Sequence, residues 1–185
     1  MIETVFGITG PQHAGKTTSI LALSAELVRF GIDVVGVAQP AVWQADILAG
    51  YDVLDLATGD RQSLVNRSED GSWRFFQDGF DWAGRVLQAG LGRRSVPVLV
   101  VDELGKLEAE GLGHYPALER AFASDVPQVA VLSIRQDRTS FFEDRFHIRS
   151  WWEIGGKAGQ QDDVARWAAS WGMDIRKTLW AKATG

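Results

Sequence analysis

Thr4-Val5-Phe6-Gly7-Ile8-Thr9 runs straight into Gly10-Pro11-Gln12-His13-Ala14-Gly15-Lys16-Thr17-Thr18, and the reading of that junction decides the fold. The first six residues are largely apolar and β-branched, the composition of a buried strand. From Lys16 to Phe30 apolar residues recur at Ile20, Leu21, Leu23, Leu27 and Val28, which is helical spacing, and Gly31 follows where a C-terminal cap belongs. Between strand and helix lies G-x-x-x-x-G-K-T. Its spacing suits a loop whose successive backbone N–H groups, ending in the first helical turn, face a polyphosphate. Lys16 adds a point charge for the β- and γ-phosphates, and the Thr17 hydroxyl can ligate Mg²⁺. Gly10, Pro11, Gln12, His13, Ala14, Gly15, Lys16, Thr17 and Thr18 are therefore the expected nucleotide-binding residues. His13 reads as a solvent-facing loop residue, with a γ-phosphate contact as the alternative.

Outward from this junction, strand and helix alternate. Ile32 to Ala38 reads as a second strand, and Pro97 and Pro127 lead into the apolar runs Val98 to Val101 and Val129 to Ile134. Runs of this type fit strands covered on both faces, as in a parallel sheet. Helical patterns cover about 78–89, 115–123, 140–145 and 161–171, so the expected class is α/β with right-handed crossovers. Only residues 40–76 break the alternation. There Tyr51 to Leu56 and Arg61 to Val65 flank Thr58-Gly59-Asp60, a β-hairpin signal. The segment is too short for a core of its own, so it reads as an excursion from a single domain over residues 1–172, with 173–185 as a tail.

The run Val98-Leu99-Val100-Val101 ends in Asp102-Glu103. In an open α/β sheet the C-terminal ends of the strands line the ligand crevice. Asp102 is then placed to hold Mg²⁺ opposite Thr17, and Glu103 to orient or deprotonate an attacking water. Neighbours on a strand point to opposite faces, so two useful carboxylates require the strand to end there. Lys16 and Glu103 are the expected catalytic pair. Lys106 and Glu108 read either as site neighbours or as a solvated salt bridge. Ser133, on the next apolar run, is a candidate to sense the γ-phosphate or hold the water, or else a strand-end serine bonded to backbone. Arg135 and Arg138 are candidates for an arginine finger acting within the chain, against the commoner solvated loop arginine.

Composition narrows the function classes. The 185 residues are 45% apolar and 23% charged, ordinary globular usage, and include no cysteine, which excludes disulfides and thiol chemistry. A formal charge of -5 gives no general attraction for nucleic acid or an anionic membrane, and no apolar run approaches a membrane span. Met1-Ile2-Glu3-Thr4 has no basic region of the kind that opens an export signal, so a cytoplasmic location is expected. Of the eight tryptophans, Trp82, Trp167 and Trp171 lie at helical spacing and read as core. Trp43, Trp73 and the Trp151-Trp152 pair are the alternatives for stacking on a base. His114 and His147 have no partners at ligand spacing.

Together, Ile8-Thr9-Gly10 through Thr18, Gly50-Tyr51-Asp52-Val53 with Thr58-Gly59, and Val101-Asp102-Glu103-Leu104-Gly105-Lys106-Leu107-Glu108 resemble a small nucleoside-triphosphatase family. This family was first described from thermophiles and includes the human cancer-related nucleoside-triphosphatase. The resemblance covers about residues 2–135. It implies a P-loop NTPase fold, a three-layer sandwich with a mostly parallel sheet. It also implies Mg²⁺-dependent hydrolysis of ATP, GTP or other nucleoside triphosphates to diphosphate and phosphate. By position, Gly10 to Thr18 match that family's phosphate loop, Walker A, and Asp102-Glu103 its metal-binding and catalytic acids, Walker B. The family usually carries glycine where this chain has His13. Residues 105–111 and Trp151-Trp152 resemble a related bacterial family of unknown function linked to molybdenum genes. Two other functions use the same loop. One is a small-molecule or nucleotide kinase, with a basic lid drawn from Gly92-Arg93-Arg94 or Arg135 to Arg138. The other is a nucleotide-gated switch or adaptor in a metal-cofactor pathway, with a protein partner.

Overall fold

The computed structural model describes residues 2, 4–92, 98–124, 129–155 and 161–183. Arg93, Arg94, Pro97 and Pro127 lie outside them. Strand β1 (Thr4–Thr9) passes through the glycine-rich loop into helix α1 (Lys16–Arg29). Beyond α1, Gly31 and Ile32 return their N–H groups to Val28 and Leu27, closing the helix where the sequence places its cap. Then come β2 (Val34–Ala38), β3 (Ala41–Gln44), β4 (Ile47–Asp55), β5 (Arg61–Arg67), β6 (Trp73–Phe75), α2 (Gln77–Leu91) and β7 (Val98–Leu104). The chain continues through α3 (Lys106–Ala109), α4 (Tyr115–Ala123), β8 (Val129–Ile134), α5 (Thr139–Phe146), β9 (Ser150–Glu153) and α6 (Gln161–Ala183).

One sheet carries the molecule, in the order β6-β5-β4-β2-β7-β8-β1-β9, with β3 hung on β4. The five strands from β2 to β9 are mutually parallel, and β4, β5 and β6 extend the sheet antiparallel beyond β2. Alternation along the buried strands sends side chains to two separate cores. On β7, Leu99 and Val101 join Phe80, Leu87, Leu118 and Phe142 of α2, α4 and α5, while Val98 and Val100 join Ile20, Leu23, Leu27 and Trp167 of α1 and α6. The result is a three-layer α/β sandwich. Among the described residues no helix is long and apolar enough to cross a membrane.

Three elements differ from the sequence reading. The expected tail is helix: α6 continues from Trp171 to Ala183, so a boundary at residue 173 falls inside it. Its anchor is an aromatic ladder, Trp152 to Trp167 to Trp171 to Phe6, with ring centroids 4.9, 5.4 and 5.2 Å apart. Trp151-Trp152 belongs to an extra parallel strand, β9, on the free edge of β1. The excursion is a meander of four strands rather than one hairpin. The turn at Thr58-Gly59-Asp60 stands as read, held by Asp55, whose carboxylate accepts from Ala57 N–H. A further turn joins β3 to β4 through Ala45 and Asp46, both at positive φ (45° and 64°). It lacks the Asn-Gly or Asp-Gly signature such turns favour and so left no mark in the sequence.

Candidate active site

The loop from Gly10 to Gly15 is shaped by backbone conformation more than by side chains. Gly15 caps α1 at φ 99°, with no side-chain cap, so the N–H groups of the first helical turn face outward at the positive end of the helix dipole. Gly10 passes so close to the exit of β9 that a Cβ there would sit 2.5 Å from the Ile154 carbonyl oxygen. His13 is exposed and sits at φ 61°, the left-handed region that glycine adopts at least cost. Lys16 is almost fully buried. Its Nζ donates to the carbonyl oxygens of Pro11 (3.2 Å) and Gly10 (3.4 Å) and lies 3.8 Å from Glu103 Oε2. Thr17 is half-buried and Thr18 exposed at the helix start.

Strand order brings three more polar side chains to the same place. Because β8 lies between β1 and β7, Ser133 sits between the end of β1 and the acid pair. Thr9 Oγ1, Ser133 Oγ and Asp102 Oδ1 are all buried without a hydrogen-bond partner among the described residues. Asp102 is otherwise fixed: its Oδ2 accepts from Gln39 N–H (3.1 Å), and its carbonyl accepts from the Gln39 side chain (3.2 Å). A buried carboxylate with one oxygen held and the other unused fits a divalent cation that also takes the Thr17 hydroxyl, waters and phosphate oxygens. Among the described residues no three acidic or histidine side chains cluster as a cage.

The strand does not end at Asp102, as the alternation argument required. It continues to Leu104 through a bulge: pairing with β8 shifts between Val101 and Leu104, and Glu103 adopts φ 60°. A bulge re-aims one side chain without ending the strand, and here it turns Glu103 to Lys16 while Asp102 stays facing Gln39. Burial raises the Glu103 carboxyl above its ordinary pKa. Lys16 opposes that, Asp102 adds to it, Arg135 opposes it and Glu108 adds to it.

Tyr51 of β4 also reaches the site, a contribution the sequence reading did not assign. Its phenol lies near Gln12 and Glu103; burial raises its pKa, Gln12 partly opposes that and Glu103 adds to it. Its ring meets Trp73 at 5.9 Å, so the meander delivers an aromatic wall to the loop. Its local signals are the hairpin and the Gly50-Tyr51-Asp52-Val53 stretch that carries part of the resemblance. Glu108 is buried, not solvated, and Lys106 pairs instead with Glu110 at 3.9 Å. Arg135 packs over Gly105 and is held by Asp137 at 3.2 Å, whereas Arg138 is tied to Asp137 at 3.5 Å. Of the two finger candidates, Arg135 is near enough to Glu103 for its charge to lower that carboxyl.

A parallel sheet whose first strand enters a glycine-rich phosphate loop, with an acid pair two strands away, defines a P-loop nucleotide hydrolase. The family model described as NTPase matches residues 5–151, and the chain belongs to that family. Among curated relatives, the nucleoside-triphosphatase THEP1 of Methanopyrus kandleri is 27% identical over 132 residues, covering 69% of this chain and 72% of the relative. THEP1 of Pyrobaculum aerophilum is 34% identical over 108 residues, 57% and 60% of the two chains. The solution structure of a human cancer-related nucleoside triphosphatase superposes with a TM-score of 0.69 over 97% of this chain and 98% of that one; at 21% identity this likeness speaks to the fold. These findings bear on the first resemblance. The second, to the bacterial family linked to molybdenum genes, rests on residues 105–111 and 151–152 alone.

Proposed function

We propose that this chain hydrolyses nucleoside 5′-triphosphates to the diphosphate and phosphate in the cytoplasm, with Mg²⁺ held by Thr17 and Asp102 and with Glu103 as the residue that orients water. The observation that carries the reading is the bulge at Glu103, which sets its carboxylate 3.8 Å from the loop lysine. Backbone N–H groups from Gly15 to Thr18 bind the phosphates. Lys16 exchanges its contacts with Gly10 and Pro11 for the β- and γ-oxygens, which replaces carbonyl partners with full negative charge. Glu103, freed from Lys16, accepts the hydrogen bond of a water beside the γ-phosphorus, and its raised pKa suits it to take up that proton. Ser133 has an unused hydroxyl for the same water or a γ-oxygen. Bound Mg²⁺ supplies neutralisation of the β- and γ-phosphate charge.

The test is phosphate release from ATP, GTP, CTP, UTP and ITP with Mg²⁺, using Glu103→Gln to expose contaminating activity. Release should fall by about 10²-fold or more in the variant while nucleotide affinity is kept. Equal rates in variant and parent remove Glu103 from the mechanism. Tight binding without release favours a kinase or a nucleotide-gated adaptor with a protein partner.

A further inference from the structure

Glu108 stands in a seat built for its carboxylate. It is 96% buried, with a relative exposure of 4%. One oxygen accepts the Gly105 N–H at 2.9 Å and the other the His114 N–H at 3.1 Å. Gly113, at φ 60°, leaves the room: a Cβ there would lie 2.2 Å from Glu108 Oε1. Gly105 is the second residue after Glu103, and it is pinned from its other side as well. A Cβ on Gly105 would be 2.8 Å from Arg135 Cδ, and Arg135 N–H donates to the Leu104 carbonyl at 3.0 Å. The chain just after the bulge is thus fixed by a buried charge below and the Arg135 backbone and stem above.

A left-handed glutamate persists only where its surroundings over-determine it. We propose that Glu108 is a positioning residue for the hydrolytic reaction: its carboxylate clamps Gly105 and the 113–114 turn, and so holds the bulge that aims Glu103 at the attacking water. Glu108 does not touch the nucleotide, and its effect runs wholly through Glu103. The inference therefore rests on the role proposed for Glu103. It also accounts for the spacing Asp102-Glu103-x-Gly105-x-x-Glu108 as a device, since a carboxylate three residues after the glycine reaches back to its N–H as in a capping box.

The experiment is a double-mutant cycle in the full chain, reading kcat and KM for Mg-ATP, affinity for a non-hydrolysable ATP analogue, and thermal midpoint. Glu108→Gln keeps the size and one acceptor but turns an amide N–H₂ toward one of the two N–H donors; Glu108→Ala removes both bonds. Glu108→Gln should lower kcat about 10-fold and Glu108→Ala about 100-fold, with KM and analogue affinity unchanged, since misplacement of a reacting group by about 1 Å costs on that order. In a Glu103→Gln background, either change at Glu108 should lower kcat no further. Unchanged kcat overturns the proposal, as does a parallel loss of kcat and analogue affinity, or a full additional loss in the Glu103→Gln background. If Glu108→Ala does not fold, Glu108→Gln alone decides between these outcomes. Parent-like kcat in Glu103→Gln itself overturns the role of Glu103, whatever Glu108 does.

Discussion

At Lys16 a buried ammonium is satisfied by two carbonyls of its own loop and by one carboxylate, a set of partners that a triphosphate can replace. Removing it takes away the only lysine the loop offers to the phosphates. Lys16→Ala should weaken triphosphate binding about 10- to 100-fold, the ~1.5–3 kcal/mol of a hydrogen bond to a charged group. Calorimetric titration with a non-hydrolysable triphosphate checks this, and unchanged affinity would count against the site. At the same scale, Lys16 and Thr17 are expected from spacing, because a phosphate loop is a contiguous stretch whose own dihedrals shape it, and Asp102 is expected from its place at the end of an apolar run. Glu103 was legible as a residue but not as a conformation. The alternation rule demanded a strand end, and a bulge set by pairing with β8 satisfied the need instead. Glu108 reads from the sequence as either a site neighbour or part of a solvated pair, because its three-residue spacing from Gly105 is short and common, and only the packing of the 113–114 turn over it shows that the carboxylate is buried.

Among the elements, β2 and β7 pair at Gly36 and Val100. A Cβ on Gly36 would sit 2.0 Å from the carbonyl oxygen of Val100, in the backbone of the neighbouring strand, which has no flexible end to yield. Gly36→Ala should therefore destabilise the fold by about 1–3 kcal/mol, as overpacking does. Because β7 carries Asp102 and Glu103, kcat should fall with it. Urea midpoints and phosphate release on the same samples test both, and a midpoint equal to that of the parent would show that the strands can part without cost. The long parallel strands and α4 were readable because their periodicity is strong. Strand β9 was not: its Trp151-Trp152 pair stands between polar Ser150 and Glu153 with no alternation, and it exists because the edge of β1 offers a partner.

Over the whole molecule, His114 couples stability to pH. Its ring is enclosed, packs against Phe80 at 5.2 Å, and has no hydrogen-bond partner on either nitrogen among the described residues. Burial lowers its pKa from 6.5 to about 4. Below pH 6.5 the unfolded chain binds a proton that the folded chain refuses, so stability falls as pH falls toward about 4, by up to about 3 kcal/mol. Glu103 and Glu108 oppose this from the acid side. Burial raises both carboxyls, so the folded chain keeps protons that the unfolded chain has released, and their contribution is lost as pH rises through the raised values. Urea midpoints between about pH 7.5 and 5 should fall in the parent and stay flatter in His114→Leu. Parallel slopes in the two proteins would exclude His114 as the source.

The sequence by itself determined the glycine-rich loop and the parallel α/β frame around it, and set two candidate acids at the end of an apolar run, because each is written in contiguous residues. Only the tertiary structure decided how those acids meet the loop. Strand order puts Ser133 between β1 and β7, the meander carries Tyr51 back to Gln12, and a bulge fixed from two sides turns Glu103 to Lys16. Each of these contacts joins residues tens of positions apart, and which strand pairs with which, in what register, is settled by packing on both faces of the sheet rather than by any local run.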